Sequence, residues 1–200
     1  MRSSRIQKGF TLIELMVTVG IFVFMTALLL AKYNNFNSGT LLTNLAYDVA
    51  LTLRQAQTYG LSVVNSQQSG ANFSKAYGVY FVDESAEYTF FVDFNTKAFN
   101  TEGILNDTND AIESISKYTL KRGATVTGLC AVNDTICSSS DFNKTHLGIT
   151  FKRPDPDAII KASTDGSNWD TYNHAEIRVS QNGVHRIIKV NSYGQIGIQD

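Results

Sequence analysis

The sequence predicts an α+β fold in which one long N-terminal helix packs on an antiparallel β-sheet domain. Three observations carry that expectation. An apolar run, Leu15 to Ala31, follows a short basic segment without interruption. Apolar residues then recur at three- and four-residue spacing through Leu42, Leu45, Val49, Leu53 and Ala56, the mark of an amphipathic helix. From Tyr77 onward the pattern changes to short aromatic and β-branched segments separated by polar turns. At 200 residues the chain has room for one anchor helix and one globular domain.

The first element is decided by six residues, Gly9-Phe10-Thr11-Leu12-Ile13-Glu14, set between the basic segment Met1 to Lys8 and the apolar run. Burying an acidic side chain in a bilayer costs about 2.5 kcal/mol or more. Glu14 therefore needs a partner. A cut between Gly9 and Phe10 would supply one, because the new α-amine would lie one helical turn away and be positive near neutral pH. Residues 10 to 31 make a helix of about 33 Å at 1.5 Å per residue, long enough to span the hydrocarbon core. Arg2, Arg5 and Lys8 hold the leader on the cytoplasmic side. An ordinary signal peptide is the plainer alternative, but nothing resembling Ala-x-Ala ends the apolar run.

Lys8-Gly9-Phe10-Thr11-Leu12-Ile13-Glu14-Leu15 resembles the N-terminus of the type IV pilin and pseudopilin family. The resemblance implies cleavage after Gly9 by a prepilin peptidase and N-methylation of Phe10. It also implies assembly into a filament, with Glu14 neutralising the Phe10 amine of a neighbouring subunit. The expected organisation is a leader at 1–9, a transmembrane and filament-core helix at 10–33, and its amphipathic continuation at 34–62. An extracytoplasmic β-rich domain at 63–200 completes the chain. Many family members carry a proline where this chain has Ala31, so a kink there is not expected on that ground. Asn34 to Gly39, rich in poor helix formers, is the weak joint. Gly60 is a candidate C-terminal stop, with a short continuation of the helix beyond it as the alternative, and Asn44, Asp48, Thr52 and Gln55 are expected to point away from the apolar stripe.

Beyond a polar loop, Val64 to Lys75, strands are expected at 77–82 and 88–94, joined as a hairpin. Further strands are expected at 115–120, 124–129 and 146–151. Asn182-Gly183 between 175–180 and 184–190 is a strong hairpin-turn signal, and 195–199 makes a final short strand. The set Ile177, Val179, Gly183, Arg186, Ile188, Val190, Gly194 and Ile196 resembles the GspH/FimT-like class of minor pilins and pseudopilins.

Cys130 and Cys137 bracket six residues, and in an exported domain they read as a disulfide contributing about 2–3 kcal/mol. Two cysteines with no companion at zinc-ligand spacing make a poor metal site, so no metal or cofactor is expected. His146, His174 and His185 are scattered and read as surface or strand-face residues. Asp93, Asn95, Asp107, Asn109, Asp110 and Glu113 form a polar cluster. Ile104 stands where a calcium loop counted from Asp93 needs a bidentate Glu, so solvation is the reading for the cluster. Four sequons, at Asn72, Asn106, Asn133 and Asn143, are assigned no role.

Removing the three leader cations from 17 leaves 14 against 18 acids, a mature sum of −4. That balance argues against DNA, whose affinity for proteins is dominated by phosphate contacts. Arg178, Arg186 and Lys189 are the residues that would make a basic patch if one existed. The expected function is a minor type IV pilin or type II secretion pseudopilin, and not an enzyme. Its partners would be the prepilin peptidase/methyltransferase, other pilin-type subunits, the inner-membrane assembly platform and the membrane. The alternative is a pilus-borne binding module, either a DNA-uptake receptor or an adhesin.

Overall fold

The computed structural model describes residues 9–62, 75–93 and 114–199, with the side chains of 31–38, 114 and 115 excluded. The leader Met1 to Lys8, most of the Val64–Lys75 loop and the acidic cluster beyond Asp93 lie outside the described residues, as do Asn72 and Asn106.

One helix, α1, runs from Leu12 to Leu61. It continues through 34–39, where the sequence suggested a weak joint. The apolar stripe behaves as its period dictates: Leu42, Leu45, Val49, Leu53 and Ala56 are all buried, with Ala46 and Ala50 beside them. Thr52 departs from expectation and is buried within that face. Its hydroxyl donates to the Asp48 carbonyl at 2.9 Å and lies 3.3 Å from the Tyr88 hydroxyl, so the polar atom is satisfied without solvent.

Ten strands form two antiparallel sheets. They are β1 (Ala76–Val82), β2 (Glu87–Asp93), β3 (Ser114–Thr119), β4 (Thr125–Val132), β5 (His146–Phe151), β6 (Ala158–Ser163), β7 (Asp170–Tyr172), β8 (His174–Gln181), β9 (Val184–Asn191) and β10 (Ile196–Gln199). The larger sheet has the order β3-β2-β1-β5-β6-β7 and the smaller β10-β9-β8-β4. Strands β6 and β7 were not expected. Strand β7 has three mostly exposed residues, and β6 carries its apolar signal in a short Ala-Ile-Ile run.

The helix lies over both sheets rather than one, and the inner faces of both join it in a single core. Period-2 alternation puts Tyr77, Val79 and Phe81 inward from β1, and Ile177, Val179, Ile188 and Val190 inward from β8 and β9. Tyr59 of the helix meets Tyr77 and Phe90 edge-on at 5.7 and 5.9 Å between ring centroids. Asn182 and Gly183 take φ of 50° and 78°, the left-handed pair of a two-residue hairpin turn.

The helix runs one residue past Gly60 and ends within the expected 34–62 segment, with Ser62 as its C-cap. Gly60 itself is required for space. A Cβ at Gly60 would stand 2.8 Å from the carbonyl carbon of Phe151, a backbone atom of β5 that has no side-chain freedom to yield. Alanine should stabilise a helix by up to about 1 kcal/mol over glycine. Here we expect the opposite sign: Gly60→Ala lowers stability by about 1–3 kcal/mol, as overpacking does. Denaturant unfolding of the folded domain checks it.

Candidate functional site

The N-terminal tip is a helix start built by its own side chains. Thr11 is the N-cap, with φ −79° and ψ 152°. Its Oγ1 accepts from the Glu14 backbone N–H at 3.3 Å. Glu14 Oε2 in turn accepts from the Thr11 backbone N–H at 3.0 Å and from the Thr11 hydroxyl at 2.8 Å. This reciprocal capping box satisfies orphan donors of the first helical turn, and the helix dipole favours the carboxylate there. Among the described residues, the side-chain hydrogen bonds of Glu14 come from Thr11, on the mature side of the Gly9–Phe10 bond. Phe10 is 82% exposed.

Beyond the tip, Leu12–Leu30 is long and apolar enough to cross a membrane, with mean hydropathy 2.4, and none of it is buried by the rest of the chain. Phe22, Leu29 and Leu30 are 69%, 73% and 70% exposed.

A second site lies on the outer face of the smaller sheet, and the sequence reading missed it. Cys130 and Cys137 are bonded, with their Cα atoms 6.4 Å apart, so the expected disulfide is formed. Cys130 of β4 sits directly opposite Glu176 of β8, which sits opposite Lys189 of β9. His174 shares the face of Glu176 two residues away. Lys189 Nζ lies 2.9 Å from Glu176 Oε1, and His174 Nε2 donates to the same oxygen at 3.1 Å. His174 thus has the carboxylate partner that sequence spacing did not suggest. Glu176 is 2% exposed. Its burial acts to raise the carboxyl, but hydrogen bonds and charge from Lys189 and His174 outweigh that and hold it below the ordinary glutamate range.

The three cations considered for nucleic acid are not brought together. Arg186 points to the helix side of the sheet, where its Nε donates to Thr43 Oγ1 at 3.2 Å and one terminal nitrogen to the His185 carbonyl at 3.0 Å. Arg178 and Lys189 lie on the opposite face. There Arg178 stacks over Phe142 at 3.7 Å from the ring centroid, and Lys189 is engaged by Glu176. His146 bonds Thr145 at 2.7 Å and packs with Tyr80 and Trp169, while His185 is exposed, both in strand-face roles.

The geometry defines a class: a β-rich domain carried on a helix whose first half is an uncovered apolar rod with a capped acid at its tip. In keeping with that, residues 4–30 match the family model described as the prokaryotic N-terminal methylation motif. The motif supports a type IV pilin- or pseudopilin-type precursor signal at the N-terminus, of the kind processed by prepilin peptidase, and covers only that part of the chain. A search of the curated proteins found no match, and neither did a search of the solved structures.

The Glu176 geometry carries a pH prediction. A carboxyl held lower in the folded chain contributes stability above its unfolded value, about 4.3, and loses that contribution as pH falls through the folded value. Thermal melts from pH 6 downward should therefore show a steep decline below about 4.3 in the native chain and a shallower one in Glu176→Gln.

Proposed function

We propose that this chain is a minor type IV pilin or a type II secretion pseudopilin of the GspH/FimT-like kind. It is a structural subunit, not an enzyme. The observation that carries the reading is an acid preorganised at the tip of an apolar helix that nothing else in the chain covers.

Prepilin peptidase removes 1–9 and N-methylates Phe10. Because both partners of the capping box, Thr11 and Glu14, lie after Gly9, leader removal keeps the pair in the mature chain and adds a cation one turn away. Before assembly the segment 10–33 is stored in the inner membrane, with the domain from residue 63 onward on the outer side. In the filament, Glu14 of the incoming subunit pairs with the Phe10 amine of its neighbour. That pairing removes the cost of an isolated carboxylate in an apolar core and fixes the axial register. Apolar contact between helices, through side chains such as Leu15, Phe22 and Leu29, supplies most of the packing.

The GspH/FimT-like residues make physical sense together. Ile177, Val179, Ile188 and Val190 fill the core. Gly183 and Gly194 hold φ of 78° and 74°, and Arg186 ties the small sheet to the helix through Thr43. A DNA-receptor reading gains no support from Arg178, Arg186 and Lys189, which are split between two faces and engaged within the chain.

Mass spectrometry of the protein isolated from its host membrane tests the processing. We expect a mature start at Phe10 carrying one added methyl group; an intact leader, or a cut beyond Ala31, would contradict it. Glu14→Ala should insert and be processed as the native chain is, yet enter filaments about tenfold less or worse, since a lost charge pair of 1.4 kcal/mol already accounts for that factor. Quantitative immunoblotting of sheared filaments against membranes reads the ratio.

A further inference from the structure

The corner where β4, β8 and β9 meet holds a donor set that the assembly reading does not use. Cys137 Sγ, a His174 ring nitrogen and a Glu176 carboxylate oxygen all lie within 4.8 Å of one another. His174 and Glu176 are 7% and 2% exposed, so two of the three donors are fixed by packing and not waving in solvent. Sulfur, imidazole and carboxylate are the three ligand types that zinc takes. Its bonds of about 2.0–2.3 Å put neighbouring ligand atoms of a tetrahedral site about 3.3–3.7 Å apart. A spacing at the 4.8 Å limit needs a contraction of about 1 Å, whereas the 3.1 Å between His174 Nε2 and Glu176 Oε1 has only to open slightly, both within reach of side-chain rotation. In the bonded pair, however, Cys137 offers no thiolate.

We propose that this corner is a redox-gated zinc site: when the Cys130–Cys137 disulfide is reduced, Cys137, His174 and Glu176 bind Zn²⁺. The ion then replaces the disulfide as the staple of the 130–137 loop. A dithiol supplies the reduction. Its two thiols give two electrons and two protons to the disulfide and close to a disulfide themselves, leaving Cys130 and Cys137 as thiols. Zinc then displaces the Cys137 proton. Cys130, released by the same step and opposite Glu176 in the sheet register, is the nearest source of a fourth ligand. Water is the other.

Electrostatics favours the exchange. Among the described residues, Lys189 supplies the buried Glu176 carboxylate with a full countercharge from a side chain that is 29% exposed, on the solvent side of the pair. Zinc substitutes a divalent cation for that lysine, so the carboxylate stays neutralised throughout. His174 turns from donating to Glu176 to offering a lone pair to the metal. Entry is open as well: His174 and Lys189 line a groove of about 620 Å³ that also includes Asn133, Asp134, Asn173 and Tyr193.

The test uses the full chain in detergent, its disulfide cleaved by a phosphine and the reagent removed, titrated with Co²⁺ as the spectroscopic stand-in. We expect a thiolate-to-cobalt absorption band in the reduced chain, none in the oxidised chain, and loss of the band on adding stoichiometric Zn²⁺. His174→Ala and Glu176→Gln should each weaken Co²⁺ affinity about tenfold or more. Lys189→Met, which removes the competing cation without touching a ligand, should strengthen it, and so guards against variants that fail merely by unfolding. A reduced chain that takes up no cobalt would overturn the proposal. So would a band whose affinity is unchanged in His174→Ala, Glu176→Gln and Lys189→Met alike, since the thiols alone would then be binding.

Discussion

An apolar helix surface that the chain itself never covers is the constraint on which everything else rests. From Leu12 to Leu30 no side chain is buried by the domain, whereas from Leu42 onward the same helix supplies the domain's core. One rod thus serves two solvents. Its outer half has to meet lipid or other helices, because exposing that much apolar surface to water is unfavourable by about 25 cal/mol for every Å². Its inner half needs only its own two sheets. The capped acid at the tip lies in the outer half's first turn, and on the proposed reading it is the end that meets a partner's amine.

The domain reads as a platform that fixes the helix. Contact with both sheets, the close approach of Gly60 to the backbone of β5, and the Arg186–Thr43 bond hold the inner half rigidly. Gln57 adds to this near the helix end, donating to the carbonyls of Pro156 and Gly194 at 3.1 and 3.2 Å.

Much of this was legible in the residues, where the signal is local. The Gly-Phe-Thr-Leu-Ile-Glu run, the helical stripe from Leu42 to Ala56 and the Asn182-Gly183 turn each encode their structure within a few positions. The β5 bounds follow from His146 to Phe151 for the same reason. What stayed hidden depends on distant partners. Thr52 looks solvent-facing by type, and its burial becomes tolerable because its hydroxyl reaches the Asp48 carbonyl and the Tyr88 hydroxyl of β2. Gly60 looks like a stop signal until Phe151 is placed against it. Strand β7 owes its existence to pairing with β6 and not to its own sequence. The cysteine pair reads as a poor metal site because no companion stands at ligand spacing along the chain, yet β4–β8 pairing brings His174 and Glu176, about forty residues on, close to Cys137. Spacing rules see ligands only on one element.

The central claim is that the outer half of the helix is designed to be covered by other subunits. Placing a photo-crosslinking amino acid at Phe22, irradiating cells that make the filament, and resolving the products by mass addresses it directly. The account predicts adducts to the N-terminal helix of another pilin-type subunit, enriched in sheared filaments over membranes. Adducts to lipid alone, in every fraction and at every stage, would contradict it.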